Sequence, residues 1–204
     1  SKKINFESGI VVVPKGVAPK IDTSTFEVIT SGHPLPNYNS LKSGKALIKF
    51  LNNTAKHDFV LFLISGGGSA LSVLPNSISL RDKIRVNHEL IRSGANINEI
   101  ACIRKHLSLI KGGRLIQKMN CNGISFLVSD VIGDDIGSIA SGLTFYDKST
   151  FSDALRIVKK FSLEHKFPKS ALSVLKSGHN GEIPETPKKP RIKNIVLLNN
   201  FTCL

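Results

Sequence analysis

Three short strings in this 204-residue chain carry residue types suited to handling a phosphate. The first is Ser65-Gly66-Gly67-Gly68-Ser69, directly after the apolar run Phe59 to Ile64. Consecutive glycines let backbone N–H groups approach an oxyanion closely, and a helix opening after them would add its positive end. The string lacks the Gly-Lys-Ser/Thr ending of a Walker A loop and the Gly-x-Gly-x-x-Gly spacing of a dinucleotide loop. By itself, a glycine-rich strand-to-helix turn also has a purely structural explanation. The second string joins Arg104-Lys105-His106-Leu107-Ser108 to Lys111-Gly112-Gly113-Arg114, four cations within eleven residues. Arginine forks and lysine point charges capture phosphate or carboxylate; the bland alternative is a solvated basic helix face. The third places Asp130, Asp134 and Asp135 around Gly133. Carboxylates at a strand end suit Mg²⁺ beside phosphates, or one could deprotonate a substrate hydroxyl. Asp134 or Asp135 could equally cap a helix beginning near Ile136. His33, between Gly32 and Pro34, reads as a substrate contact or as a turn residue.

Elements that would position these strings follow from apolar periodicity. Ile10 to Val13, Phe26 to Thr30, Phe59 to Ile64, Ile124 to Val128 and Ile195 to Leu198 read as strands. The continuous apolarity of Phe59 to Ile64 predicts a central strand covered on both faces. Helical spacing runs from Ser40 to about Asn52, from a Ser79/Asp82 capping pair to Ser93-Gly94, and along Ile97, Ile100, Ile103, Leu107 and Ile110. On that last stripe Arg104, Ser108 and Lys111 fall at i, i+4 and i+7, predicting one line of side chains that could converge on one anion. Thr150/Asp153 and Ser170 open two further helices. Strands alternating with helices predict an α/β fold with a mainly parallel sheet, whose ligands sit at the carboxyl ends of strands. Residues 177–194 read as a linker loop, and 195–204 as a final strand with the start of a cut-off element.

Composition narrows the function classes. Hydrophobic residues at 41% and charged residues at 21% exclude whole-chain disorder. The longest apolar run is far below the ~20 residues of a spanning helix, so no membrane partner is expected. The N-terminus lacks a secretory core, which predicts a cytoplasmic location. Cys102, Cys121 and Cys203 form no Cys-x-x-Cys pair and read as reduced, structural thiols. The net charge of +13 suggests a polyanion. However, the basic stretch 101–118 is followed by 126–147, which holds four Asp and no Lys or Arg. Alternating sign fits a phosphate and its metal better than a uniformly basic nucleic-acid face, and no aromatic stacking motif supports specific nucleic-acid binding.

Taken in order, the strings resemble the glycerate kinase family that phosphorylates the 2-hydroxyl of glycerate and carries a MOFRL-type C-terminal domain. The matching pieces are Gly32-His33-Pro34-Leu35-Pro36, Leu63 to Leu71, Ser93-Gly94-Ala95, Arg104 to Ser108, Lys111 to Leu115, Ser129 to Asp135 and Ile139 to Gly142. The resemblance implies that residues 1–176 form a Rossmann-like three-layer N-terminal domain of an enzyme using ATP and Mg²⁺ to convert D-glycerate to 2-phosphoglycerate. On a kinase reading of the residues, the expected catalytic groups are Arg104, Lys105, Lys111, Asp130 and Asp134, with phosphate or substrate contacts from His33, Ser65, Gly66, Gly67, Gly68, Ser69, His106, Ser108, Gly112, Gly113 and Arg114. Asp130, Asp134 and Asp135 would be the metal ligands. Family members also carry an earlier Gly-Lys-Ala-Ala segment and the MOFRL-type domain, neither of which is in this chain. A catalytically incomplete portion that binds anions, with an exposed interface open to a partner or to homodimer formation, is therefore the competing expectation. Relatives have been labelled hydroxypyruvate reductases, a label without a dinucleotide fingerprint behind it here. Asn37, Leu143 and Tyr146 depart from the aspartate and two prolines usual at those places.

Overall fold

Parallel strand pairing sets the frame of the computed structural model, which describes residues 5–129, 131 and 135–198. Strands β1 (Gly9–Pro14) and β2 (Phe26–Ser31) form one parallel pair. Strands β3 (Phe59–Ile64), β4 (Asn122–Val128) and β5 (Lys193–Leu198) form a second parallel sheet in that spatial order. The helices are α1 (Tyr38–Asn52), α2 (Gly68–Leu71), α3 (Leu80–Arg92), α4 (Ile97–His106), α5 (Phe151–Lys160) and α6 (Lys169–His179). The fold is thus α/β and Rossmann-like, with every strand pair parallel. No described helix is long and apolar enough to cross a membrane.

Two cores hold it together. One packs Leu51 of α1 with Ile110, Leu115, Ile116 and Met119 against Val60, Phe62 and Ile64 on one face of the larger sheet. The other gathers Val86, Leu90, Ile103, Phe151, Val158 and Leu175 from α3 to α6. The strand β3 differs from its sequence expectation: it is the edge of its sheet, and Phe59 and Leu63 are 65% and 73% exposed. Their face of the sheet has no covering layer among the described residues. Continuous apolarity reads as two-sided burial, but only Val60, Phe62 and Ile64 face a core here. Further differences lie near the chain's end. Helix α6 runs through His179, and Thr186 within the expected linker is buried.

Helices α3 and α5 open at the expected Ser79 and Thr150, whereas α1 starts at Tyr38, ahead of the expected Ser40, and α6 starts at Lys169 after Pro168, with the Ser170 hydroxyl donating to Asp82 instead of capping it. Asn37 caps α1 in a capping box with Ser40, and Thr150 does the same for α5 with Asp153. Buried serines then lock α1 to the segment after the glycine string. Ser31 and Ser43 both donate to Leu71 O, at 2.7 and 3.1 Å, and Ser43 Oγ lies 2.6 Å from Ser72 Oγ. Gly44 permits this approach, because a Cβ there would stand 2.3 Å from Val73 O. Gly44→Ala is accordingly expected to lose about 1–3 kcal/mol by overpacking, read as a lower urea midpoint at unchanged m-value.

Candidate functional site

Strand ends deliver the site. Strand β3 ends at Ile64 and leads into Ser65 to Gly67, while β2 ends at Ser31 and leads to His33. The imidazole of His33 packs on the glycine loop, since a Cβ on Gly67 would meet His33 Nε2 at 2.8 Å. Gly67 also has φ +79°, a left-handed backbone that glycine adopts without strain. A Cβ on Gly68 would meet Ala140 Cβ at 2.9 Å, so the loop presses directly on the segment Ile139 to Gly142. Helix α2 is only four residues long, which leaves the loop's own N–H groups as the donors there. Ser65 is the exposed rim of the loop and Gly66 is half-buried beside it, Ser65 Oγ donating back to Gly66 O at 3.4 Å.

Lys111 ties this loop to two others. Its side chain is fully buried, and Nζ donates to Ser69 O at 3.1 Å, Ser69 Oγ at 3.0 Å and Ala140 O at 3.4 Å. Ser69 Oγ in turn lies 2.9 Å from Ser141 Oγ. The neighbouring backbone completes the clasp, Gly112 N donating to Ser141 O at 3.1 Å and Gly113 N to Gly142 O at 2.7 Å. Ala140, Ser141 and Gly142 hold φ of +50°, +58° and +66° in succession. Two non-glycine residues in that region store strain of about 1–3 kcal/mol each and persist only when over-determined by their surroundings. Hydrogen bonds from the glycine loop and from the Lys111–Gly113 turn supply that determination. Burial, with repulsion from Lys83 and Arg104, pushes the Lys111 ammonium well below the usual lysine range. Hydrogen bonds to a charged group are worth about 1.5–3 kcal/mol each, and burying an ion costs several kcal/mol. The two roughly cancel, so Lys111 serves position more than stability.

The expected line of Arg104, Ser108 and Lys111 does not form. Helix α4 stops at His106, and the chain then turns. Ser108 pairs with Pro75 as an isolated bridge and donates to Leu74 O at 3.3 Å. Arg104 stays on α4, half-buried, its Nε donating to Asn87 Oδ1 on α3 at 3.0 Å. Lys105, His106 and Arg114 turn to a different place, a buried network under 145–150 and 184–188. Lys105 Nζ lies 3.2 Å from Asp147 Oδ1, and His106 has its ring nitrogens 2.8 Å from Cys102 O and 3.2 Å from Glu185 Oε2. Arg114 donates to Pro184 O at 2.8 Å, and its Nε is buried without a partner among the described residues. Lys105 still reaches toward the acidic loop, for a Cβ on Gly137 would stand 3.5 Å from its Nζ and 3.4 Å from Asp135 Oδ1. Cys102 and Cys121 are free and buried, and burial pushes the Cys102 thiol up to about 11.

Asp130 and Asp134 lie outside the described residues. Asp135 acts as a turn cap, accepting from Gly137 N at 3.2 Å and from the Ser138 hydroxyl. Among the described residues no group of three His, Cys, Asp or Glu could hold a metal ion. Four participants escaped the sequence reading: Lys83 and Asn87 on α3, Asp147, and Glu185. A cation in the first turn of a helix, opposed by the macrodipole, was the available signal for Lys83.

The family described as "Domain of unknown function (DUF4147)" matches residues 1–176. The chain is similar to a glycerate 2-kinase of Pyrococcus horikoshii, 38% identical over 97% of this chain and 45% of that one. It is 38% identical to a putative hydroxypyruvate reductase of Agrobacterium vitis over 94% of this chain and 42% of that one. A crystal structure of glycerate kinase from Thermotoga maritima superposes with a TM-score of 0.85 at 34% identity, covering 96% of this chain and 45% of that one. The chain therefore spans less than half the length of these relatives.

The Asp147 carboxyl yields a test of the buried network. Burial works to raise its pKa, but the Lys105 ammonium, Ser149 and His106 outweigh it and hold the carboxyl below its ordinary 3.8. Its stabilising contribution is thus present above pH 3.8 and lost as pH falls through the lower native value. Asp147→Asn is expected to cost about 3–5 kcal/mol at neutral pH, by leaving Lys105 buried and unpaired. The same variant flattens the acid limb of stability against pH, both read from urea unfolding.

Proposed function

The chain belongs to the DUF4147 family and is similar to glycerate 2-kinases; from that premise we propose that it forms the phosphate-handling part of an enzyme that moves the γ-phosphoryl group of ATP to the 2-hydroxyl of D-glycerate. The observation that carries this reading is the clasp of Ser65–Ser69, Lys111–Gly113 and Ile139–Gly142 around one buried ammonium. Phosphoryl transfer needs positioning and electrostatic stabilisation more than covalent chemistry from the protein. A loop with open backbone donors, backed by a fixed cation, supplies both. The glycerate hydroxyl oxygen bonds to the γ-phosphorus, the bond from γ-phosphorus to the bridging oxygen breaks, and ADP departs. The hydroxyl proton goes to a carboxylate, for which the sequence offers Asp130 and Asp134. Mg²⁺ bound with ATP would neutralise phosphate charge, and Asp130, Asp134 and Asp135 are the residues that would hold it. His33 against Gly67 supports a substrate contact at the loop's rim.

The relative named a putative hydroxypyruvate reductase raises a redox reading. Ser65 to Ser69 lacks the Gly-x-Gly-x-x-Gly spacing by which a dinucleotide pyrophosphate approaches the backbone, and the kinase reading is the better supported. The greater length of the relatives favours a second reading, in which these residues bind anions and turnover needs the rest of that length.

Release of ADP with D-glycerate, ATP and Mg²⁺, with the product position read by NMR, tests the proposal. Glycerate-dependent formation of 2-phosphoglycerate is expected from the chain extended to the relatives' length; turnover by the 204 residues alone would remove the second reading. In the active form, Lys111→Met is expected to lower kcat/KM about 100-fold or more. A loss under about threefold would take Lys111 out of the catalytic apparatus.

A further inference from the structure

The site's cations are not all accounted for by the clasp. Lys111 has its three donors committed to Ser69 O, Ser69 Oγ and Ala140 O, so it acts as a fixed charge behind the loop rather than as a hand that grips a ligand. Arg104 is different. Its Nε is engaged by Asn87, which orients the guanidinium, and its Nη edge has no partner among the described residues and is shaped for bidentate contact. Asn87 lies one helical turn after Lys83 on α3, so the two share a face, and that face looks at Arg104.

We propose that Lys83 is the partner of Arg104 in gripping an oxyanion, carboxylate or phosphate, held between α3, α4 and the Ser69 end of the glycine loop with Lys111 as the fixed charge behind it. This rests on the kinase reading above and adds to it a residue from a helix that contributes none of the loops. Lys83 sits half-buried in the first turn of α3, where the helix dipole opposes a cation. Burial and the charge of Arg104 bring its pKa down to about 8, and no carboxylate among the described residues pulls it back. Lys83 and Arg104 both act in turn on Lys111. Three cations drawn together with partial loss of water are mutually destabilising. An oxyanion arriving among them would reverse the sign of every one of those interactions, which is how a protein builds a site selective for negative charge. The exposed lysines of α1, such as Lys45, show none of this arrangement.

Inorganic pyrophosphate and D-glycerate, titrated separately into the 204-residue chain and followed by NMR, distinguish the two sources of oxyanion. Lys83→Met is expected to raise the Kd for one of them about tenfold, with Lys83→Arg within about threefold of wild type and Lys45→Met unchanged. Which ligand responds says whether the grip is on phosphate or on carboxylate. Both ligands binding Lys83→Met within about twofold of wild type would overturn the proposal. If Arg104→Met loses binding while Lys83→Met keeps it, this inference fails and the kinase reading stands; no binding of either ligand to the wild-type chain takes down both. The wild-type protein decides the matter even if the variants fail to fold. Lysine ¹³Cε shifts should show the Lys83 pKa climbing from about 8 toward the ordinary 10.5 as ligand saturates, and an unmoved value would contradict the grip.

Discussion

A single ammonium group, that of Lys111, is buried with neutral oxygens around it, and the geometry of the site depends on that placement. Ser69 and Ala140 come from loops 71 residues apart, and both point oxygens at the same nitrogen. Without a hydrogen-bond donor at that point, the left-handed run at Ala140 and Ser141 would lose one of the bonds that hold it. The glycines at 67, 68, 112 and 113 then follow as consequences. Each lies where a side chain would meet His33, Ala140, Thr186 or Phe145, so the loops approach more closely than residues with a Cβ would permit. Close backbone approach is also what a phosphate needs.

Behind the clasp lies a second layer that never touches its oxygens. Lys105, His106 and Arg114 leave the turn that carries Lys111 and pair with Asp147, Glu185 and Pro184, anchoring that turn from the rear. Phe151 stacks edge-on against His106 at 4.6 Å between ring centroids, and its own N–H donates to Glu185 Oε1 at 2.8 Å. The basic string therefore divides its labour: Lys111 faces the glycine loop, Arg104 bonds Asn87 on α3, and the other three hold the scaffold. Buried ion pairs add little net stability against well-packed apolar residues, but they fix register, and register is what a three-loop clasp requires.

Most of the fold was legible in the residues. Apolar runs marked the five described strands, and Ser79/Asp82 and Thr150/Asp153 open their helices as expected because a side-chain oxygen at each start satisfies an orphan N–H, whereas α1 starts at Tyr38, ahead of the expected Ser40. The contact of His33 with the glycine loop joins strands of two separate sheets and is a tertiary event. Division of the basic string was not legible either, because helical periodicity carried past His106 places Ser108 and Lys111 in line with Arg104. The turn at Leu107 redirects them, and nothing local in Leu107-Ser108-Leu109 announces it; the pairing of Ser108 with Pro75 is a tertiary event. Asp147, Glu185 and Lys83 were hidden for the same reason, since their partners are 42, 79 and 21 residues away for Lys105, His106 and Arg104 respectively. The exposure of Phe59 and Leu63 likewise depends on what packs beside β3, which composition does not encode.

Hydrogen–deuterium exchange of the chain with and without saturating ATP measures the unity of the three loops directly. If Lys111 holds them as one site, the amides of Gly66 to Ser69, Gly112 to Gly113 and Ser141 to Gly142 slow together on binding. Slowing confined to one of these loops, or appearing only elsewhere, would contradict it.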